Sequence, residues 1–257
     1  MKYRSQNGGG DLFAFIDHQK KAKAAQRMTG IGKLTDIIDW EGFRGDIEDI
    51  LGYADRDGRK GGRPPFDPVF MFKVLVLQKF HGLSDVSVEE QIADRFSFMD
   101  FLGLRPGDAI PDANTVWDFR EALERDERNG SEQLFARFNE MLEAKGLIGH
   151  ERNVVDASFV DAPRQRNTRE QNESIKKGER PAEFDPNTPK GKQKDSEARW
   201  AKKNNETHFG FKNHAKVDAK SKLIIKGKTT GANVHDSQVF KDLVDKTDNA
   251  VFADSAY

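Results

Sequence analysis

The feature that most constrains this chain is a change in the spacing of its apolar residues near position 149. Before it, they recur at steps of three and four. After it, short β-branched runs and strict alternation take over. A period near 3.6 buries one face of a helix, whereas a period of two buries one face of a strand. The chain therefore divides into a helical N-terminal region, residues 1–148, and a mixed α/β region, residues 149–257. No internal repeat is apparent.

In the first region Leu34, Ile37, Ile38, Ile47, Ile50 and Leu51 fall at helical spacing, with Trp40 and Phe43 filling the stripe. GRKGGRPPFDP then breaks the pattern, since its Gly and Pro residues cannot continue a helix. Val69 to Phe80 is apolar nearly all round, which predicts a central helix that stops at Gly82. Ser87 and Glu90 have capping-box spacing at the start of SVEEQIADRF. FMDFLGL reads as an apolar turn, after which Pro111 and Asp112 open DANTVWDFREALE. Two short helices across such a turn fit a helix-turn-helix, and ordinary helical packing gives the same pattern. Leu134, Phe135, Phe138, Met141 and Leu142 share one face of a last helix, closed by Gly146.

In the second region NVVDASFV reads as a buried strand, and THFGFKNHAKVD sets Phe209, Phe211, Ala215 and Val217 against His208, Gly210, Lys212, His214 and Lys216. KLIIKGKTTG is its expected antiparallel partner. Asp236 and Ser237 can cap a helix carrying Val239, Phe240, Leu243 and Val244, and AVFAD forms another strand. Residues 163–205 make a polar insert too long for an ordinary hairpin loop. The order is strand, insert, strand, strand, helix, strand, the start of a mixed sheet.

Charge sharpens this division. The chain is −1 overall, but residues 163–228 hold 18 Lys/Arg against 9 Asp/Glu, a local +9 that leaves −10 elsewhere. Such a block is a candidate phosphate-binding surface, or else a solvated basic loop. With no Cys, disulfides, thiolate nucleophiles and cysteine zinc sites are excluded. No apolar run has the length of a membrane span or the form of a signal peptide, so the expectation is a cytoplasmic protein without a membrane partner.

Two carboxylates stand out. Asp156 interrupts the apolar run NVVDASFV, and Asp254 ends AVFAD. One such Asp can pair with Arg or point to solvent. Two on adjacent central strands are better explained by a shared cation, because ionised carboxylates in apolar strands are costly. Without Cys, and with no His pair at ligand spacing, the hard donors point to Mg²⁺ or Mn²⁺. His208 and His214 share one strand face, where they either meet phosphates or are simply solvated. His235 reads as part of a helix cap.

VVDASFVDAPRQRNTREQN, KDSEARWAKKNNETHFGFKNHAKVD, TGANVHDSQ and VFADSAY together resemble the insertion-sequence-five group of bacterial DDE transposases, covering essentially residues 150–257. GRPPFDPVFMFKVLVLQKFHGLSD and IPDANTVWDFR resemble the helical N-terminal region of the same group. The resemblance implies a ribonuclease-H-like α/β core, with two Mg²⁺ ions held by three carboxylates. Asp156 and Asp254 are the first two by motif position. It also implies double-stranded DNA as partner, at terminal inverted repeats and target, with a homo-oligomer acting beside the nucleoid. Arg164, Arg166, Arg169, Arg199, Lys202, Lys203 and Lys212 are then expected on DNA backbone, and Trp200 on a base or packed within the insert. The family's third acid, a Glu, falls tens of residues beyond the second Asp, and the sequence stops at Tyr257. The expectation is thus a C-terminally truncated chain with impaired strand transfer; the alternative is an inactive DNA-binding protein that occupies transposon ends and inhibits the intact enzyme.

Overall fold

The computed structural model describes residues 30–53, 64–105, 107–125, 129–162, 166–185, 187–189, 191–203 and 205–256. Arg164 and most of the Gly/Pro-rich break lie outside the described residues. The chain packs as two compact units, divided between Met141 and Leu142.

The first unit is helical: α1 (Gly30–Ile37), α2 (Arg44–Ile50), α3 (Pro68–His81), α4 (Asp85–Asp94), α5 (Phe96–Leu102), α6 (Ala113–Glu124) and α7 (Gly130–Ala144). Local chemistry sets the ends of α3. The Asp67 carboxylate accepts from Phe70 N at 3.0 Å, Pro68 occupies the first turn, and Gly82 closes the helix at φ 63°, where a Cβ would be strained. Val74 and Leu77 of α3 are fully buried with Phe43, Ile47, Val88, Ile92 and Val116, each contributing about 1.5–3 kcal/mol. The other side of α3, with Leu75, Val76 and Phe80, faces an open apolar groove of ≈ 590 Å³ lined also by Leu34, Leu134 and Phe138.

Two local expectations change. The cap of α4 is Ser84, whose hydroxyl accepts from Ser87 N at 3.1 Å, so the helix starts a turn earlier than Ser87 suggests. FMDFLGL is no turn but the helix α5, joined to α4 through Arg95 alone. Phe98, Phe101 and Leu102 bury its inner face. The helix-turn-helix pair expected from α4 and α6 is thus interrupted by a third helix. Instead α4 and α6 are tied directly: Arg120 grips both oxygens of Asp85 at 2.7 and 2.9 Å, and Glu89 accepts from Ala113 N at 2.9 Å.

The second unit is a five-stranded mixed sheet with β1 (Asn153–Asp161), β2 (Arg199–Lys203), β3 (Glu206–Asp218), β4 (Ile224–Gly231) and β5 (Val251–Ala253). β1 lies between β3, antiparallel, and β5, parallel. Along its far edge β3 pairs first with β2 and then with β4. Helix α9 (Asp236–Leu243) joins β4 to β5 and buries Val239 and Leu243 against Val155, with Val234 and Val251 around them. Gly210 sits opposite Asp161, where a Cβ would lie 2.1 Å from Val160 O. Only glycine permits β1 and β3 to approach so closely.

The alternation of β3 is present and Phe209 is buried as expected, but from residue 211 onward the burial is the reverse of the simple reading. His214 and Lys216 are fully buried and Asp218 nearly so, while Phe211, Ala215 and Val217 remain partly exposed. The polar face lies toward α9, where partners are available. Lys212 meets Asp236, Lys216 meets Asp245 and Asp248, and Lys228 meets Asp242. Burial is tolerated because each charge is paired. The opposite face carries Val154, Val160, Ile224 and Phe252, all exposed.

The insert is likewise more ordered than a polar loop. Thr168 and Gln171 form a capping box that starts α8 (Arg169–Lys176), and β2 adds to the sheet. The cap of α9 is His235, which accepts from Ser237 N, rather than Asp236 or Ser237. Among the described residues, no helix is long and apolar enough to cross a membrane.

Candidate metal centre and nucleic-acid surface

The two singled-out carboxylates belong to neighbouring elements: Asp156 lies within β1, and Asp254 follows the last residue of β5. β5 pairs Asn153 with Val251, Val154 with Phe252 and Val155 with Ala253. The pairing ends at Val155 and Ala253, each one residue before a carboxylate, on strands spaced about 4.8 Å apart. Side chains alternate between faces along β1, so Asp156 shares the open face with Val154 and Phe252, away from α9. Both carboxylates are exposed. Each accepts a local backbone bond: Ala157 N to Asp156 at 2.8 Å, and Ala256 N to Asp254 at 2.9 Å.

Two hard oxygen donors that follow paired residues, without a paired cation among the described residues, fit part of the shell of an octahedral Mg²⁺ or Mn²⁺ ion. No group of three His, Cys, Asp or Glu suited to a metal occurs among the described residues. Water and substrate oxygens would complete such a shell, as is usual for Mg²⁺. The histidines take no part. His214 is buried, its Nε2 3.1 Å from Thr230 Oγ1, and burial lowers its pKa. His208 stacks on Phe159 at 4.2 Å.

The basic residues separate into two groups. Lys212, expected on DNA, is withdrawn: its ammonium donates to Asp236 at 2.8 Å and Val234 O at 3.0 Å, under α9. Its charge is already compensated by Asp236, which withdraws it from the exposed basic surface. Arg166, Arg169, Lys202 and Lys203 are exposed. Arg199 is half-buried and donates to Ser196 O and Ala198 O. The Trp200 ring lies 5.5 Å from the Arg166 guanidinium and 5.0 Å from Phe209, with Nε1 donating to Asn167 O. These contacts anchor the insert and favour the packing role for Trp200.

A cleft of ≈ 500 Å³ opens here between Arg169, Lys176, Arg199, Trp200 and Asn233. Lys176 and Asn233 were not singled out from sequence. For Lys176 a signal existed: it lies seven residues after Arg169, two helical turns along the same face. Nothing in the sequence marks Asn233, which reaches the cleft through the turn after β4.

Register also sorts the cations of β2. Trp200 and Lys202 oppose Phe209 and Thr207, which lie in two-residue steps from Phe211, itself opposite Val160. Val160 shares its face with Asp156. Lys202 therefore projects to the side of Asp156, and Lys203 and Arg199 to the side of α9.

Residues 21–122 match the family described as a transposase domain (DUF772), and residues 148–257 match the transposase DDE domain. The two matches define the class: the chain carries the domains of a DDE-type transposase, and its mixed sheet is a ribonuclease-H-like core. No match to a solved structure was found.

Proposed function

We propose that this chain is the transposase of an insertion sequence of the insertion-sequence-five group. It acts on double-stranded DNA at the element's terminal inverted repeats and at the target, as a homo-oligomer beside the nucleoid. Its cofactor is Mg²⁺ or Mn²⁺, and Asp156 and Asp254 are the residues that hold it. The observation that supports this reading is the parallel pairing of β1 with β5 up to Val155 and Ala253, the residues immediately before Asp156 and Asp254.

A divalent ion bound there supplies Lewis-acid chemistry, lowering the pKa of an attacking water or DNA 3′-hydroxyl and stabilising the leaving oxygen. The chain's own contribution is placement. Asp156 and Asp254 would hold the ion where β1 and β5 pair. Arg166, Arg169, Lys176 and Lys202 neutralise backbone phosphates and hold the duplex against the face. Arg199 and Lys203 sit at the margin of that surface, and the helical unit handles the DNA ends.

The test is nicking of a duplex carrying the element's end, in Mg²⁺, by the chain and by Asp156→Asn. Nicking that is lost in the variant while DNA binding persists supports the reading; equal nicking by both sinks it. A second reading is a DNA-binding protein that occupies the ends without cutting and inhibits the intact enzyme. It predicts binding without nicking for both proteins.

A further inference from the structure

The buried cation Lys216 has no place in the surface just described, and an ammonium is rarely enclosed without a purpose for its geometry. It lies on β3 opposite Val155, the residue before Asp156. Its side chain is wholly buried, and so, at 1% exposure, is that of Asp248. The ammonium lies 2.8 Å from Asp245 and 2.7 Å from Asp248. Both partners belong to the short segment, residues 244–250, that leads from α9 into β5.

That segment is fixed at several further points. Asn153 of β1 donates its side-chain amide to Asp248 at 2.8 Å. Asp248 accepts from Asp245 N at 2.8 Å, and Asn153 N donates to Ala250 O at 2.9 Å. Asp245 also meets Lys226 of β4. Burial works to raise the Asp245 carboxyl, but the bonds from Lys216 and Lys226 outweigh it and hold it below the usual range.

β5 itself offers one apolar anchor for its register, Val251 against Val155, Val239 and Leu243. It is three residues long, with Phe252 and Ala253 exposed. A parallel strand so short pairs weakly, and a slip of one residue would turn its side chains to the other face and shift Asp254 with them. Charge pairs at fixed points specify register where apolar contacts do not.

We propose that Lys216 is a positioning residue: by gripping Asp245 and Asp248 it sets the register of β5 against β1, and so places Asp254 beside Asp156. The role in metal binding rests on the reading of those two carboxylates as a ligand pair. Lys216 touches neither of them and acts only through the segment it holds.

The test compares the full chain with Lys216→Met, Lys226→Met and Asp156→Asn, each checked for folding by circular dichroism. Amide hydrogen exchange reports residues 251–253, and Mn²⁺ titration followed by electron paramagnetic resonance reports the ligand pair. In Lys216→Met, exchange at residues 251–253 should rise at least about ten-fold while the far end of the β1–β3 ladder keeps its protection. Mn²⁺ affinity should fall on the order of ten-fold, the usual effect of losing a group that orients ligands. Lys226→Met, which touches only the half-exposed Asp245, should change exchange and affinity far less. Should Lys216→Met not fold, Asp248→Asn carries the same test, since it preserves shape and removes the charge that Lys216 grips.

Unchanged exchange at residues 251–253 overturns the proposal, as does a rise spread evenly over the sheet. Faster exchange with undiminished Mn²⁺ affinity removes the role in metal binding. If the wild-type chain and Asp156→Asn bind Mn²⁺ alike, the ligand pair itself fails and the positioning role goes with it. If Asp156→Asn loses Mn²⁺ while Lys216→Met behaves as wild type, only the positioning role fails.

Discussion

Lys202 and Lys203 are neighbours in sequence, both exposed, and on opposite sides of the sheet by register. Their separate replacement by Gln therefore tells which face DNA occupies. Lys202 opposes Thr207, and Asp156 opposes Ala215, eight residues further along β3. At about 3.3 Å per residue that is roughly 26 Å, or about eight base pairs of a duplex rising about 3.4 Å per pair. A duplex engaging the carboxylates can thus reach Lys202 without bending. Loss of one phosphate contact lowers the salt slope of log K by about 0.9. Between 50 and 200 mM salt the wild-type affinity should then fall about 3.5-fold more than that of Lys202→Gln. Lys203→Gln should leave the slope nearly unchanged. Fluorescence anisotropy on a labelled end duplex at four salt concentrations measures both. Equal slope changes in the two variants, or a change only in Lys203→Gln, would refute the placement of DNA on the carboxylate face.

Two further predictions concern stability. Arg120→Met removes the bidentate grip on Asp85 that joins α4 to α6, and should cost about 2 kcal/mol; an unchanged thermal midpoint would contradict this. Arg120 holds the Asp85 carboxyl below the usual range, and Lys216 and Lys226 do so for Asp245 against the opposing effect of burial. Folded-state values below the unfolded one mean the stabilisation is complete above the unfolded pKa of about 3.9 and is lost as pH falls through the lower folded values. Denaturant midpoints should therefore drop steeply below about pH 4, and less so in Arg120→Met; parallel curves for the two proteins would sink the assignment.

Much of the fold could be read from local pattern because local chemistry sets it. Asp67-Pro68 and Gly82 bound α3, and Asp112 caps α6, as their spacing indicates. What failed was any inference that needed a partner from elsewhere. The seven residues of α5 are too few for periodicity to separate helix from turn. The alternation of β3 was plain, but which face is buried depends on Asp236, Asp245 and Asp248, which lie 18 or more residues later. Those acids turn Lys212 and Lys216 inward, and they remove Lys212 from the surface where its charge alone would place it.

The candidate site shows the same division. Asp156 and Asp254 stood out individually, because a carboxylate in an apolar strand is costly without a partner. That they follow paired residues, Val155 and Ala253, was not in the sequence; it comes from the parallel pairing of β1 with β5. The cations of the insert were visible as a block, whereas their assignment to one face or the other came only from the β2–β3 register.

The most direct test of the central claim is a double-variant cycle for Mn²⁺ binding with Asp156→Asn, Asp254→Asn and both together. If the two carboxylates share one ion, each single change should weaken binding by on the order of ten-fold or more, and the double change should add little. If the effects are absent, or simply multiply as for independent sites, the two residues do not form one metal centre.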